Sequence, residues 1–250
     1  MYCKNCGNQI PPGARTCPNC HSVLRRRVYL LLVPLILVAV AACIGIVSLA
    51  ARYSKYRALE AKLEEAVGKD AGYTETIIRV EAEASSMTYV ELFDLCQKSI
   101  DLRTQLIVEL RGLYPNLKSD VRAMLIDFLN SENELVRQKS SYYRKNLNLN
   151  TALKLYTDYI SDYPTSSYGW DYYNRRTSEL KTEMSKAAHE MDEVATNYVV
   201  TYKGLINQEA QLATAMSKRG IRFVTIFQNY EKSNMGIEET AKAILKNLGV

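Results

Sequence analysis

The sequence predicts a mainly α-helical protein: a small cysteine-rich head, one membrane-spanning helix, and an elongated antiparallel helical bundle. Three observations predict it. Val28 to Ala51 is a run of 24 residues without a charge, closed by Arg25-Arg26-Arg27 before it and Arg52 after it. Four of the six cysteines lie within residues 3–20. From Arg52 onward, apolar residues recur at three- and four-residue spacing, with Pro115 and Pro164 as the only prolines. The expected domains are a head at 1–24, a basic juxtamembrane linker at 25–27, a transmembrane helix at 28–51 and a helical body at 52–250.

In the head, Cys3-Lys4-Asn5-Cys6 and Cys17-Pro18-Asn19-Cys20 form two C-x-x-C pairs separated by ten residues. Each pair can wrap a tight turn around a metal ion, with two thiolates as ligands and backbone N–H groups to polarise them. Two such turns complete a closed tetrahedral shell of four thiolates, which suits one zinc ion. The alternative is a pair of redox or disulfide-forming dithiols. A closed shell leaves no position for water, so the expected role is structural, with Cys3, Cys6, Cys17 and Cys20 as ligands and His21 as an exposed neighbour. A segment this short cannot bury enough apolar surface to fold alone, so metal binding supplies its folding energy.

These residues resemble the short bacterial zinc-ribbon family, whose pattern is C-x-x-C-G, a loop with proline and alanine, then C-P-x-C-G. Here it reads Cys3-Lys4-Asn5-Cys6-Gly7 and Cys17-Pro18-Asn19-Cys20, with His21 in place of the second glycine. The resemblance implies a structural zinc and an N-terminal position in a single-pass membrane protein.

A hydrocarbon core of about 30 Å needs about 20 apolar residues, so Val28–Ala51 can span with some tilt. A signal peptide would have a shorter apolar core. Val40-Ala41-Ala42-Cys43 looks like a lipoprotein processing box, but Ile44-Gly45-Ile46-Val47 continues apolar where a polar tether is usual, so Cys43 reads as a small apolar residue. Basic residues flank the two ends equally: Arg15, Arg25, Arg26 and Arg27 before, Arg52, Lys55, Arg57 and Lys62 after. Zinc-bound thiolates are safer in a reducing compartment, which places the head in the cytoplasm and the body outside. Ala41 and Gly45 form a small-xxx-small pair that could bring two spans together in a homo-oligomer.

The net charge of +5 belongs to the first 50 residues, which hold Lys4, Arg15, Arg25, Arg26 and Arg27 and no acid. The body is formally neutral, so no nucleic-acid partner is expected. Arg25, Arg26 and Arg27 are placed to meet anionic lipid headgroups, at about 1 kcal/mol each.

In the body, helices are expected at about 52–67, 73–112, 118–147 (ending there or running on through 151–162), 170–218 and 221–247, with Gly68, Gly72 and Gly112 as breaks. Leu180, Met184, Ala187, Met191, Val194, Tyr198, Thr201, Leu205, Gln208, Leu212 and Ala215 form a coiled-coil-like heptad seam, with Gln208 as a polar break. Leu92, Leu95, Leu102, Leu106 and Leu113 form a similar stripe. Eight of the 18 tyrosines and the single tryptophan, Trp170, fall between Tyr142 and Tyr173. They either fill seams between helices or make the Tyr163–Tyr173 turn a binding tip.

Glu132-Asn133, Tyr142, Asn150-Thr151-Ala152-Leu153, Ile160 and Tyr163-Pro164 resemble the C-terminal half of the LemA family, which are membrane-tethered helical bundles. The likeness covers about 113–164. About seven extra residues precede Tyr163, and Leu113-Tyr114-Pro115-Asn116-Leu117 is only an echo of the family signature. It implies a tether and a fold but no chemistry.

No catalytic constellation is visible. His189-Glu190-Met191-Asp192 lacks a second histidine, and Cys96 sits in an apolar helical stretch as a buried, inert thiol. The expectation is a non-enzymatic, single-pass envelope protein that binds a protein or envelope component and scaffolds it. The alternative is a transmembrane sensor whose bundle signals to the ribbon.

Overall fold

The computed structural model describes the backbone of residues 1–23, 28–82, 88–162, 170–227 and 231–248, with the side chains of all but 28–33, 80–82 and 231–235. Arg25, Arg26, Arg27, Tyr163, Pro164 and Tyr168 lie outside the described residues. Among the described residues there are five helices: α1 (Val28–Ala82), α2 (Tyr89–Gly112), α3 (Asp120–Asp162), α4 (Trp170–Ser217) and α5 (Glu231–Leu248). The chain divides into two units, Met1–Lys55 and Tyr56–Val250.

In the first unit, α1 carries the uncharged run. By length and composition it is the one described helix able to cross a membrane. Leu35, Leu37, Val38, Ile46, Val47 and Leu49 are all exposed. An exposed, uncharged apolar run of this length meets the length and composition requirement of a membrane span.

In the second unit, α1 continues without the expected break at Gly68 and Gly72, both of which are helical. Glycine in a helix interior costs about 1 kcal/mol relative to alanine. The buried stripe Leu59, Leu63, Ala66, Val67, Ala71 and Ile77 outweighs that, since each fully buried leucine alone contributes about 1.5–3 kcal/mol. The break falls between α1 and Thr88 instead. Thr88 and Glu91 form a capping box: Thr88 Oγ1 accepts from the Glu91 N–H at 3.4 Å, and Glu91 Oε2 accepts the Thr88 N–H at 2.7 Å.

The α2–α3 turn is held by Arg122, whose guanidinium donates to the carbonyls of Leu113, Tyr114 and Leu117, the last at 2.6 Å. This satisfies carbonyls left over at the end of α2. α3 runs uninterrupted from Asp120 to Asp162. It packs antiparallel to α4: Val121 and Leu125 share one core cluster with Leu212 and Met216, while Tyr142 and Leu149 share another with Met184 and Met191.

The α4 seam differs from the expected one in half its positions. The buried residues are Leu180, Met184, Ala188, Met191, Ala195, Tyr198, Val199, Tyr202, Leu205, Glu209, Leu212 and Met216, with Val199 beside the seam. One set of positions agrees; the other is displaced by one residue, to 188, 195, 202, 209 and 216. Gln208 is exposed and Glu209 is the buried polar residue. Alanine at 188 and 195 allows close helix approach, while Tyr202 and Met216 supply the bulk elsewhere.

The segment after α4 is extended, not helical. Gly220 takes φ +71°, a conformation that disfavours other residues, and the Ile221 N–H closes on the Met216 carbonyl at 3.0 Å. Ile221 is buried and Phe223 half-buried, while Arg222 and Val224 between them face outward. Glu209 anchors the end of this segment, accepting the N–H of Ile226 at 2.5 Å and of Phe227 at 3.0 Å. Phe227 packs edge-on against Phe128 and Tyr202, and its carbonyl accepts the Tyr202 hydroxyl at 2.6 Å. α5 then adds Ala241 to the cluster around Met184, Ala188 and Met191.

Candidate metal centre

The head is built from two equivalent turns. In the first, Cys3 N–H donates to the Asn8 carbonyl and Gly7 N–H to the Cys3 carbonyl, both at 2.8 Å. In the second, Cys17 N–H donates to the Ser22 carbonyl at 3.0 Å and His21 N–H to the Cys17 carbonyl at 2.9 Å. Bridges Tyr2–Gln9 and Thr16–Val23 close the two turns. Gly7 has φ +74°, and His21 has φ +57° at the matching position. The histidine therefore adopts the left-handed backbone that glycine would take without strain. It is exposed and stands outside the sulfur cluster, as expected.

The turns bring together the four cysteines that the spacing singles out. All four Sγ atoms lie within 4.8 Å of one another, with Cys3–Cys20 and Cys6–Cys17 both at 3.6 Å. Thiolates at about 2.3 Å from a tetrahedral zinc stand about 3.8 Å apart, so this donor set fits the ion closely. Ile10 is buried beside Cys3 and Cys17 and forms the small core under the site.

One contributor escapes the C-x-x-C pattern. The Ser22 hydroxyl lies 3.3 Å from Cys3 Sγ and 3.1 Å from Cys20 Sγ. It favours the thiolate form of both. Together with the backbone N–H groups of Asn5 and Cys6, it holds the Cys3 thiol down at about 6. Ser22, through its hydroxyl and its backbone, lowers Cys20 as well. Cys6 is pushed up to about 12: the Asn8 backbone pulls downward but is outweighed by Cys20, burial and the remaining thiols. Metal binding requires all four thiolates and so releases protons.

The other expected residues are dispersed. Cys43 is exposed on α1, and Cys96 is buried with Ile77, Ile100 and Val136. His189 is an exposed helix residue whose Nδ1 lies 2.9 Å from the Ser185 carbonyl. Trp170 is 74 % exposed at the start of α4, edge-on to Tyr173, which stacks on Tyr159.

A family model for the zinc-ribbon domain matches residues 2–24. No curated protein and no solved structure matches the chain. Residues 2–24 are a zinc-ribbon domain, and the clustered sulfurs of Cys3, Cys6, Cys17 and Cys20 are consistent with one structural zinc ion.

Proposed function

We propose that the protein is a non-enzymatic, single-pass membrane-anchored binding protein. The ribbon is a cytoplasmic docking module, and the helical body is an extracytoplasmic scaffold that recognises a protein of the cell envelope. The observation that carries the binding role is the aromatic surface where α3 ends and α4 begins. Trp170 is exposed there beside Tyr172, with Leu155 and Ile160 exposed on α3. Aromatic anchors of this kind dominate protein interfaces. The likeness of 113–164 to the LemA bundles accords with a membrane-tethered role. A photocrosslinking amino acid at Tyr172 in intact cells should capture a discrete protein, and Trp170→Ala should reduce the yield several-fold. Equal capture with and without Trp170 would remove this surface from the interface.

Orientation has its own test. Cys96 is too buried to report, so an exposed position is needed. K181C, in a chain with Cys43 and Cys96 replaced by alanine, should react with an impermeant maleimide in intact cells. Reaction only after permeabilisation would reverse the topology.

The sensor reading is the second possibility. It draws support from a buried charge cluster that joins α1 to α2 and α3.

A further inference from the structure

Arg103 of α2 is fully buried. Its Nε donates to Asp70 Oδ1 of α1 at 2.6 Å and lies 3.4 Å from Glu132 Oε2 of α3. Its Nη1 donates to Ser99 at 2.8 Å and its Nη2 to Thr74 at 2.6 Å. The Thr74 hydroxyl in turn donates to Glu132 Oε1 at 3.3 Å. Glu132 Oε2 has no hydrogen-bond partner among the described residues, although Glu132 is 1 % exposed. One guanidinium thus faces two buried carboxyl groups, and one oxygen of the second is held by the ion pair with no hydrogen bond.

We propose that Asp70 and Glu132 form a proton-binding carboxyl pair, and that a proton held between them sets how firmly α1 is clasped to α2 and α3. A proton on Glu132 turns its carboxyl group into a donor, and the Asp70 carboxylate shares the same Arg103 Nε with it, at 2.6 Å against 3.4 Å for Glu132. With that proton in place the cluster holds one anion and one cation. Without it, two carboxylates face each other across Arg103 where little water screens them.

The surroundings name the other charges. Tyr73 of α1 stands near Arg103. Lys139 of α3 lines a cavity of about 30 Å³ with Thr74, Arg103, Glu132, Tyr198 and Tyr202, and its ammonium lies over the Tyr198 ring at 5.8 Å. Glu209 of α4 lines a smaller cavity on the other side of Glu132 and accepts the N–H groups of Ile226 and Phe227. The larger cavity has room for a water molecule that could carry the proton. Burial first, and then Asp70, raise the Glu132 carboxyl well above the usual range, while Arg103 opposes them.

A raised folded-state pKa fixes the sign of the effect. The stabilisation is complete below the unfolded-state value, which is the ordinary glutamate range. It is lost as pH rises through the folded-state value and is absent above it. The inference rests on the sensor reading for its biological use only, because proton binding is measured on the purified chain without any partner.

The test uses the full zinc-loaded chain in nanodiscs. Infrared spectra should show the carbonyl stretch of a protonated carboxylic acid at neutral pH. The band should disappear in Glu132→Gln, and it should weaken in Asp70→Asn, where Glu132 meets Arg103 alone. Hydrogen exchange of α1 amides 66–77, corrected for intrinsic rates, should show an opening constant that rises with pH, by up to about tenfold per unit. Glu132→Gln should hold that constant flat at its low-pH value. The proposal is overturned if the wild-type chain lacks the acid band, or if its opening constant is as flat as that of Glu132→Gln. The wild-type band and profile decide the matter even if a variant fails to fold. A negative result here leaves the docking role at Trp170 standing.

Discussion

Glu209 is the sharpest place to perturb the body. It is buried on α4, and its Oε1 accepts the N–H groups of both Ile226 and Phe227, which are themselves buried. Glu209→Ala orphans both donors. Each buried, unsatisfied group costs about 1–3 kcal/mol, so the loss should be about 2–6 kcal/mol. Glu209→Gln keeps a carbonyl oxygen in place and loses only charge assistance, about 1 kcal/mol per bond and about 2 kcal/mol in total. At about 2–4 °C per kcal/mol for a unit of this size, the alanine variant should melt about 4–24 °C below wild type and the glutamine variant about 4–8 °C below. Circular dichroism of the full chain in detergent measures this, and hydrogen exchange should show the Ile226 and Phe227 amides opening first. Greater destabilisation by glutamine than by alanine, or unchanged exchange at those two amides, would refute the reasoning. Tyr202 offers an internal check, because its hydroxyl holds the Phe227 carbonyl and cannot replace the lost acceptor.

Three other outcomes follow from the structure. Leu63→Ala should cost about 2–5 kcal/mol in the same melt, since Leu63 is buried in the main core; a loss under about 0.5 kcal/mol would mean that this part of α1 does not belong to the body. Elemental analysis should give about one zinc per chain; Cys17→Ser should abolish it, and Ser22→Ala should keep the stoichiometry while weakening affinity about 10–100-fold in chelator competition. His21→Gly should tighten zinc binding by up to about 1 kcal/mol and Gly7→Ala should weaken it by about as much, because both positions take positive φ; the opposite order would show that the backbone there is unstrained by side chains.

Much of this was legible in the residues. The four ligands follow from spacing alone, because two C-x-x-C turns have few other uses at that separation. The uncharged run and the helical content follow from composition and period. The errors share one cause, which is reading each position by its own polarity. Asp70, Arg103 and Glu132 each stand where the apolar stripe of their helix passes, between Val67 and Ile77, Ile100 and Leu106, and Leu129 and Val136. A charged residue on such a stripe is a signal of burial with a partner, but the partners lie on other helices and sequence spacing cannot name them. Glu209 is the same case on α4. Gln208 falls on the regular heptad register, and a drift of one position in the seam puts Glu209 in its place. Ile221-Arg222-Phe223-Val224-Thr225-Ile226-Phe227 is mostly apolar with no strict alternation, so its polarity does not mark the non-helical segment. It is easily absorbed into a helix when long helices stand on both sides.

The equivalence of the two turns in the ribbon has a kinetic consequence. No backbone hydrogen bond seen among the described residues of the head joins one turn to the other; the turns are joined through the sulfurs with Ser22 and Asn5, through Ile10, and by the linking loop, which has its own bond from Ala14 to Pro11. Each turn is therefore a two-thiolate half-site in its own right. An arriving ion can be captured by one half, after which the second half closes on it as an intramolecular step, with loops of about ten residues closing in about 10–100 ns. Release runs the same path backward, so one half must swing away before the ion is lost. A competing thiol that reaches the open half can take the metal by stepwise exchange without unfolding the other half.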